Sequence, residues 1–214
     1  MFTTVEESTL EEKTTDHGGT LMPPVEIVVV AHDPDEWFKE TLGSFAVQNY
    51  PNLLVTILST GPVDQIEEIV SEYLPNSEIH QVDSDHGIGR NLNAVLLREE
   101  HPAFYLFCHH DVSLAPDAVR LMVEESFRSN ASIIGPKVVN WERPNELLDV
   151  GYGMDKLGHP ISRIEKGELD QEQYDAVSEV FVVSTTATLV RADLFVALGG
   201  FDEAMGMVGE DVDL

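Results

Sequence analysis

The sequence predicts an α/β fold, a mostly parallel central sheet with helices on both faces, and three observations carry that expectation. Apolar runs of strand length alternate with segments of helical period from Val25 to Gly135. The first run, Val25 to Ala31, is apolar except at Glu26, as expected of a strand covered on both sides. The most informative run, Phe104 to Cys108, releases His109, His110 and Asp111 at its carboxyl end, where open α/β sheets bind ligands.

The elements follow in order. Met1 to Pro24 is rich in Glu, Thr and Gly and lacks periodicity, so residues 1–24 read as a flexible acidic leader. Val25 to Ala31 is the first strand, Asp33-Pro34-Asp35 turns the chain, and Asp35 is placed to cap a helix. From Glu36 to Gln48, Phe38, Leu42, Phe45 and Ala46 recur at helical spacing until Asn49-Tyr50-Pro51-Asn52 breaks the pattern. A strand at Leu53 to Leu58, a helix over 64–74 with Ile66, Ile69, Val70, Tyr73 and Leu74 on one stripe, and a strand at Glu78 to Val82 complete a βαβαβ start. A polar turn around Gly87 and Gly89 leads into a helix carrying Leu92, Val95 and Leu96. After the strand 104–108, Pro116 opens a helix expected to pack Val119, Met122, Val123 and Phe127 inward, ahead of a strand at Ser132 to Gly135. Residues 136–178 lose periodicity and read as a long excursion with a hairpin. Glu179 to Val190 reads as a strand, and Ala192 to Leu198 as a short helix stopped by Gly199-Gly200.

Composition narrows the function. A chain of 214 residues with 43% hydrophobic and 24% charged content supports one sizeable core. The formal net charge is −27, and about −23 of it lies beyond the leader. That field opposes nucleic acid and anionic membranes, so nucleic-acid binding is disfavoured and an anionic substrate needs a cation or local arginines. A salty habitat or plain solubility would explain the acidity equally well. The single cysteine, Cys108, lies in an apolar run and reads as a packing thiol; with no disulfide framework a reducing cytoplasm fits. No stretch approaches a membrane span.

Several short motifs then fall into one order. Val28-Val29-Val30-Ala31-His32-Asp33, Asn49-Tyr50-Pro51, Gly89-Arg90-Asn91, the strand ending in His109-His110-Asp111, Gly135-Pro136-Lys137, Gly199-Gly200-Phe201-Asp202-Glu203 and Gly209-Glu210-Asp211-Val212-Asp213-Leu214 resemble a family 2 glycosyltransferase with the GT-A (nucleotide-diphospho-sugar transferase) fold. The resemblance covers residues 25–214 as one domain and implies a truncated catalytic domain lacking C-terminal elements. It also implies an inverting transfer of a sugar from a nucleoside-diphosphate sugar to a hydroxyl on a saccharide or lipid-linked acceptor, in cell-surface polysaccharide or glycoconjugate synthesis. The location it implies is cytoplasmic, with membrane association through a missing C-terminal part.

The resemblance also distributes roles. Asp111 matches the last acid of the family's Asp-x-Asp metal site, and His109 stands where the first is expected. An imidazole there keeps a ligand but lowers the anionic charge, which shifts preference from Mg²⁺ toward Mn²⁺ and leaves both open. Asp211 matches the general base that takes the acceptor's proton, with Glu210 orienting the acceptor or sharing the proton. Arg90 matches the arginine that approaches the donor phosphates, a pairing suited to guanidinium. Gly87 permits close backbone approach there. Asp33, Asp83 and His110 join the donor side. Ser59 and Thr60, with Gly61, occupy the position after the second strand where the family commonly carries a base-contacting aspartate, so uridine, guanosine and thymidine carriers all remain open.

Other readings compete. A catalytically weak nucleotide-sugar-binding or scaffold domain of the same fold would also tolerate an incomplete Asp-x-Asp. A nucleotidyltransferase would need a glycine- and lysine-rich loop after the first strand, which Ala31-His32-Asp33 does not provide. Trp141, in the irregular excursion, is the candidate for stacking on an acceptor sugar, whereas Trp37 at a helix start reads as a packing residue. Asn130-Ala131-Ser132 fits a glycosylation sequon but reads as a turn.

Overall fold

The structure is a computed structural model that describes residues 22–31, 35–82 and 88–203. Its elements are β1 (Val25–Ala31), α1 (Glu36–Ala46), β2 (Leu53–Ser59), α2 (Asp64–Tyr73), β3 (Glu78–Gln81), α3 (Ile88–Leu96), β4 (Phe104–His109), α4 (Ala118–Ser129), β5 (Ile133–Ile134), β6 (Val138–Val139), β7 (Leu147–Asp149), β8 (Tyr152–Met154), β9 (Pro160–Ser162), β10 (Ala187–Arg191) and α5 (Ala192–Leu198). Six strands form one sheet in the order β3-β2-β1-β4-β10-β5. β1 pairs in parallel with β2 and β4, and β2 with β3, while β10 runs antiparallel to both β4 and β5. The expected α/β architecture is present, mostly parallel and with a single reversed strand among the six.

Side chains alternate across β1 with a period of two. Val25, Ile27, Val29 and Ala31 enter a core closed by Phe38, Leu42 and Phe45 of α1, Ile66 and Val70 of α2, and Val119, Met122 and Val123 of α4. Val28 enters the opposite core, closed by Leu92 and Leu96 of α3, Phe195 of α5, and Phe201. Helices therefore cover both faces, and α1 begins as expected, with Asp35 Oδ1 accepting from the Phe38 amide at 3.1 Å.

Glu26, the one interruption of the first apolar run, is fully buried. Its carboxylate accepts from Thr56 Oγ1 at 2.7 Å and pairs with the Arg98 guanidinium, so a charge in the sheet interior is met by a hydroxyl on the neighbouring strand and a cation just past α3. Beside it, Tyr105 donates its hydroxyl to the Leu96 carbonyl, and burial pushes the phenol up to about 12. Cys108 is buried, and burial drives its thiol well above the usual range, in keeping with the packing role expected for it.

Three expectations differ from what is found. The strand expected from Glu179 begins only at Ala187, because Ser184 Oγ engages Thr186 Oγ1 and the Thr188 hydroxyl donates to the Ser184 carbonyl, local bonds that displace the ladder. Phe127 does not enter the core: it is 69% exposed, with its ring edge against Phe104, and Ser126 takes the inward position and donates to the Ala131 carbonyl. Met22 to Pro24, read as the end of the leader, are already held: Pro24 O accepts from Ala103 and Phe104, Pro23 O from the Tyr50 hydroxyl, and Met22 O from Asn52. The excursion contains two hairpins, β6–β7 and β8–β9, and Lys137 ties it down by pairing with Asp170 and Asp175. Asn130 closes α4 in the left-handed region at φ 57°, the turn expected at the sequon. No described helix is long and apolar enough to cross a membrane.

Arg98→Met leaves the Glu26 carboxylate buried with its cation gone. Urea unfolding should show a loss of about 2–4 kcal/mol, whereas a change below about 0.5 kcal/mol would mean that the pair holds nothing.

Candidate active site

The sheet's chain order defines where a ligand fits. From β1 the chain steps through α1 to β2 on one side, and after β3 it returns to β4 on the other, so the order reverses between β1 and β4. A crevice opens at the carboxyl ends of strands at such a point. The registers Ala31↔Ser59 and Val30↔His109 bring the ends of β1, β2 and β4 to one edge. Val82, at the end of β3, joins that edge by donating to the Ser59 carbonyl at 2.8 Å, and α3, with Arg90 in its first turn, opens six residues later.

His109 is the last residue of β4 rather than the first beyond it, and Asp111 follows in the turn. His109 Nδ1 lies 3.7 Å from Asp111 Oδ1, and the two side chains are 55% and 56% exposed. Two cis ligands of an octahedral cation are about 3 Å apart, so this exposed pair needs little rearrangement to share one. One imidazole and one carboxylate are a donor set that would fit a divalent ion able to take further ligands from outside the protein; no group of three or more His, Cys, Asp or Glu with metal-binding geometry occurs among the described residues. The His110 carbonyl accepts from Thr41 Oγ1 of α1 at 2.9 Å, which fixes the start of the turn.

On the other side of β1, Ser59 is buried and donates to the Gly61 carbonyl at 2.9 Å, so its hydroxyl shapes the turn after β2. Thr60 donates its amide to Ala31 O at 3.0 Å and directs its hydroxyl to the same carbonyl at 3.3 Å, which locks the ends of β1 and β2 together. Arg90 Nε lies 3.8 Å from Glu203 Oε2 with both side chains more than half exposed, an ion pair of little strength that a phosphate can displace. Asp33, Asp83, Gly87, Glu210 and Asp211 lie outside the described residues.

Sequence reasoning missed the residue that carries the Gly-Gly-Phe-Asp-Glu segment to this edge. Asn93, buried in α3, donates from Nδ2 to the Phe201 carbonyl at 2.7 Å and accepts at Oδ1 from the Phe201 amide at 2.9 Å. The Phe201 ring packs on Phe107 and Phe195, with centroids 5.2 Å away in each case. Two glycines make the approach possible. A Cβ on Gly89 would stand 2.9 Å from Phe201 Cβ, so the Gly-x-Gly signal is at least partly a packing requirement. Gly200 sits at φ 79°, and a Cβ there would meet Asn93 Oδ1 at 2.1 Å. The signal available in the sequence was a polar residue, Asn93, inside the inward stripe of Leu92 and Leu96.

The aromatic expectations are partly revised. Trp37 is not a core residue: it belongs to neither apolar cluster, is 39% exposed, and meets Trp141 edge to face with ring centroids 5.2 Å apart.

Comparison with known proteins agrees with this architecture. Residues 23–214 match the profile described as glycosyltransferase like family 2, and the chain belongs to that family. Over 198 residues it is 23% identical to the O-antigen biosynthesis protein RfbC of Myxococcus xanthus, covering 90% of this chain and 16% of that protein. Among solved structures it resembles S. aureus TarS 1–349, with a TM-score of 0.63 at 18% identity over 88% of this chain and 53% of that one. It also resembles the mannosyltransferase PcManGT of Pyrobaculum calidifontis, solved with GDP-Man and Mn²⁺, with a TM-score of 0.60 at 16% identity over 91% of this chain and 51% of that one. The fold is thus GT-A, and the chain spans about half of those two structures and less of the curated relative.

Asn93→Ala strands a buried amide and carbonyl of Phe201 and should cost about 2–4 kcal/mol. Gly200→Ala should cost a comparable amount through strain and overlap. Because Asn93→Ala removes the atom that the methyl group added by Gly200→Ala would strike, the double variant should be more stable than the sum of the single effects by about 1–2 kcal/mol; strict additivity in urea melts would contradict the clasp.

Proposed function

We propose that the chain is the donor-binding and catalytic core of an inverting glycosyltransferase, transferring a sugar from a nucleoside-diphosphate sugar to a hydroxyl acceptor in cell-surface polysaccharide or glycoconjugate synthesis. The observation that carries the reading is the convergence at one edge, beside the switch point, of the His109–Asp111 pair and the ends of β1 and β2. Family membership and the GDP-Man and Mn²⁺ of the mannosyltransferase support it.

Asp111 and His109 would hold a divalent cation, Mn²⁺ or Mg²⁺, which when bound would supply positive charge to the departing diphosphate. Arg90 leaves Glu203 to pair with a phosphate, and Gly87 allows the backbone near it to approach. Ser59 and Thr60 bound the nucleoside side, and Asp33, Asp83 and His110 complete the donor contacts. Asp211 takes the proton from the acceptor hydroxyl as its oxygen attacks the anomeric carbon and the diphosphate leaves from the opposite face, which inverts the configuration. Glu210 orients the acceptor. With its acidic surface, the chain depends on the cation and Arg90 to admit an anionic donor at all.

Calorimetry with UDP, GDP and TDP, with and without Mn²⁺, tests the donor half. At least one should bind in a metal-dependent manner, and Asp111→Asn should weaken it about tenfold or more. Asp211→Asn should keep that binding and lower diphosphate release to an acceptor mixture by about 10²–10⁴-fold. Binding without any release in the wild-type chain would favour the scaffold reading, and metal-independent or absent binding would remove the transferase reading altogether.

A further inference from the structure

The chain contains two tryptophans, and the fold brings them together. Trp37 is the second residue of α1, and Trp141 lies in the loop of the β6–β7 hairpin, more than a hundred residues later. That loop is braced from within. Asn140 Oδ1 accepts from the amides of Glu142 and Arg143 at 2.9 and 3.0 Å, the Asn140 amide donates to Glu146 O at 2.8 Å, and the Arg143 guanidinium pairs with the Glu146 carboxylate at 2.6 Å. Trp141 is presented from a rigid turn, and its partner is exposed.

The pair is placed beside the candidate metal site. The Thr41 hydroxyl lies 3.0 Å from the Trp37 carbonyl and 2.9 Å from the His110 carbonyl, so one side chain links the tryptophan's helical turn to the residue between His109 and Asp111. Neither indole contributes to either core. The Thr41 link puts the Trp37 turn of α1 against the residue that follows the carboxyl end of β4. Trp37 is 39% exposed and Trp141 half-buried, and an electron-rich indole face attracts the partly positive C–H groups on the apolar side of a pyranose. Glu142, exposed and next in sequence to Trp141, can accept from a sugar hydroxyl, whereas the Glu36 carboxylate accepts from Lys39 Nζ at 3.0 Å.

We propose that Trp37 and Trp141 form the platform on which a pyranose ring of the acceptor stacks, which makes the acceptor a saccharide. This rests on the glycosyltransferase reading for the word acceptor, but the stacking itself is measured separately from donor binding.

Because these are the chain's two tryptophans, intrinsic indole emission reports on the platform alone. The full chain is titrated with methyl glycosides of glucose, mannose, galactose and N-acetylglucosamine, both without nucleotide and with Mn²⁺ plus the nucleoside diphosphate that binds best. At least one glycoside should give a saturable change in emission. In Trp141→Ala, read through Trp37, its apparent affinity should fall about tenfold, Trp141→Phe should recover part of it, and calorimetric affinity for nucleotide and Mn²⁺ should be unchanged. Circular dichroism and urea melts verify that the variants fold; should Trp141→Ala not fold, Trp141→Phe and Trp37→Phe carry the comparison. The proposal is overturned if no glycoside moves the emission under either condition, if the response keeps its wild-type affinity in Trp141→Ala, or if that variant loses nucleotide affinity instead, which would assign the platform to the nucleobase. Loss of nucleotide binding in the wild-type chain would overturn the donor reading while the glycoside response still decides the platform.

Discussion

Asn93 commits both ends of its carboxamide to the backbone of Phe201, a residue 108 positions away, and the placement of the segment that leads toward the proposed base depends on that clasp. The parallel part of the sheet is built by the first half of the chain, and the segment leading toward Glu210 and Asp211 comes from its far end. A two-point hydrogen bond between a buried side chain and a buried peptide fixes orientation as well as distance, which an apolar contact alone would not do. The ring of Phe201, set between Phe107 and Phe195, then anchors the clasp to β4 and α5. The same strand, β4, ends in His109, so one rigid unit carries the candidate cation ligands and the entry to the proposed base.

Charge sets the second constraint. A protein this acidic repels the phosphates of the donor proposed for it, so attraction has to be local. Arg90 is held only loosely by Glu203, and the His109–Asp111 pair offers one carboxylate rather than two. A cation bound there would therefore keep more of its own positive charge for an anionic ligand than it would between two carboxylates. Elsewhere the chain settles its charges internally: Glu26 with Arg98, and Lys137 with Asp170 and Asp175, serve the sheet and the excursion.

Much of the parallel sheet was legible because its strands are apolar runs bounded by turns, and its helices carry clean stripes; Ala192–Leu198 was readable to the residue from its Gly-Gly stop. What failed did so for local reasons. Residues 179–186 look like strand by composition, but Ser184, Thr186 and Thr188 satisfy one another and their own backbone. Phe127 sits one place off the inward stripe that Ser126 completes. Within the site, the motif order placed His109, Asp111, Ser59 and Thr60 at one edge, because each follows or ends a strand. The partner of Asn93, the close approach at Gly200 and the meeting of Trp37 with Trp141 were not readable, since each pairs residues a hundred or more positions apart, and no local period encodes such a contact.

Whether the end of β4 holds the cation is read most directly by pulsed EPR of Mn²⁺ bound to the full chain together with a nucleoside diphosphate. The manganese should show coupling to phosphorus and to a directly bound imidazole nitrogen, and the nitrogen coupling should vanish in His109→Gln while the phosphorus coupling stays. Manganese that couples to phosphorus but to no imidazole, or that keeps its nitrogen coupling in that variant, would place the ion away from His109 and contradict the site described.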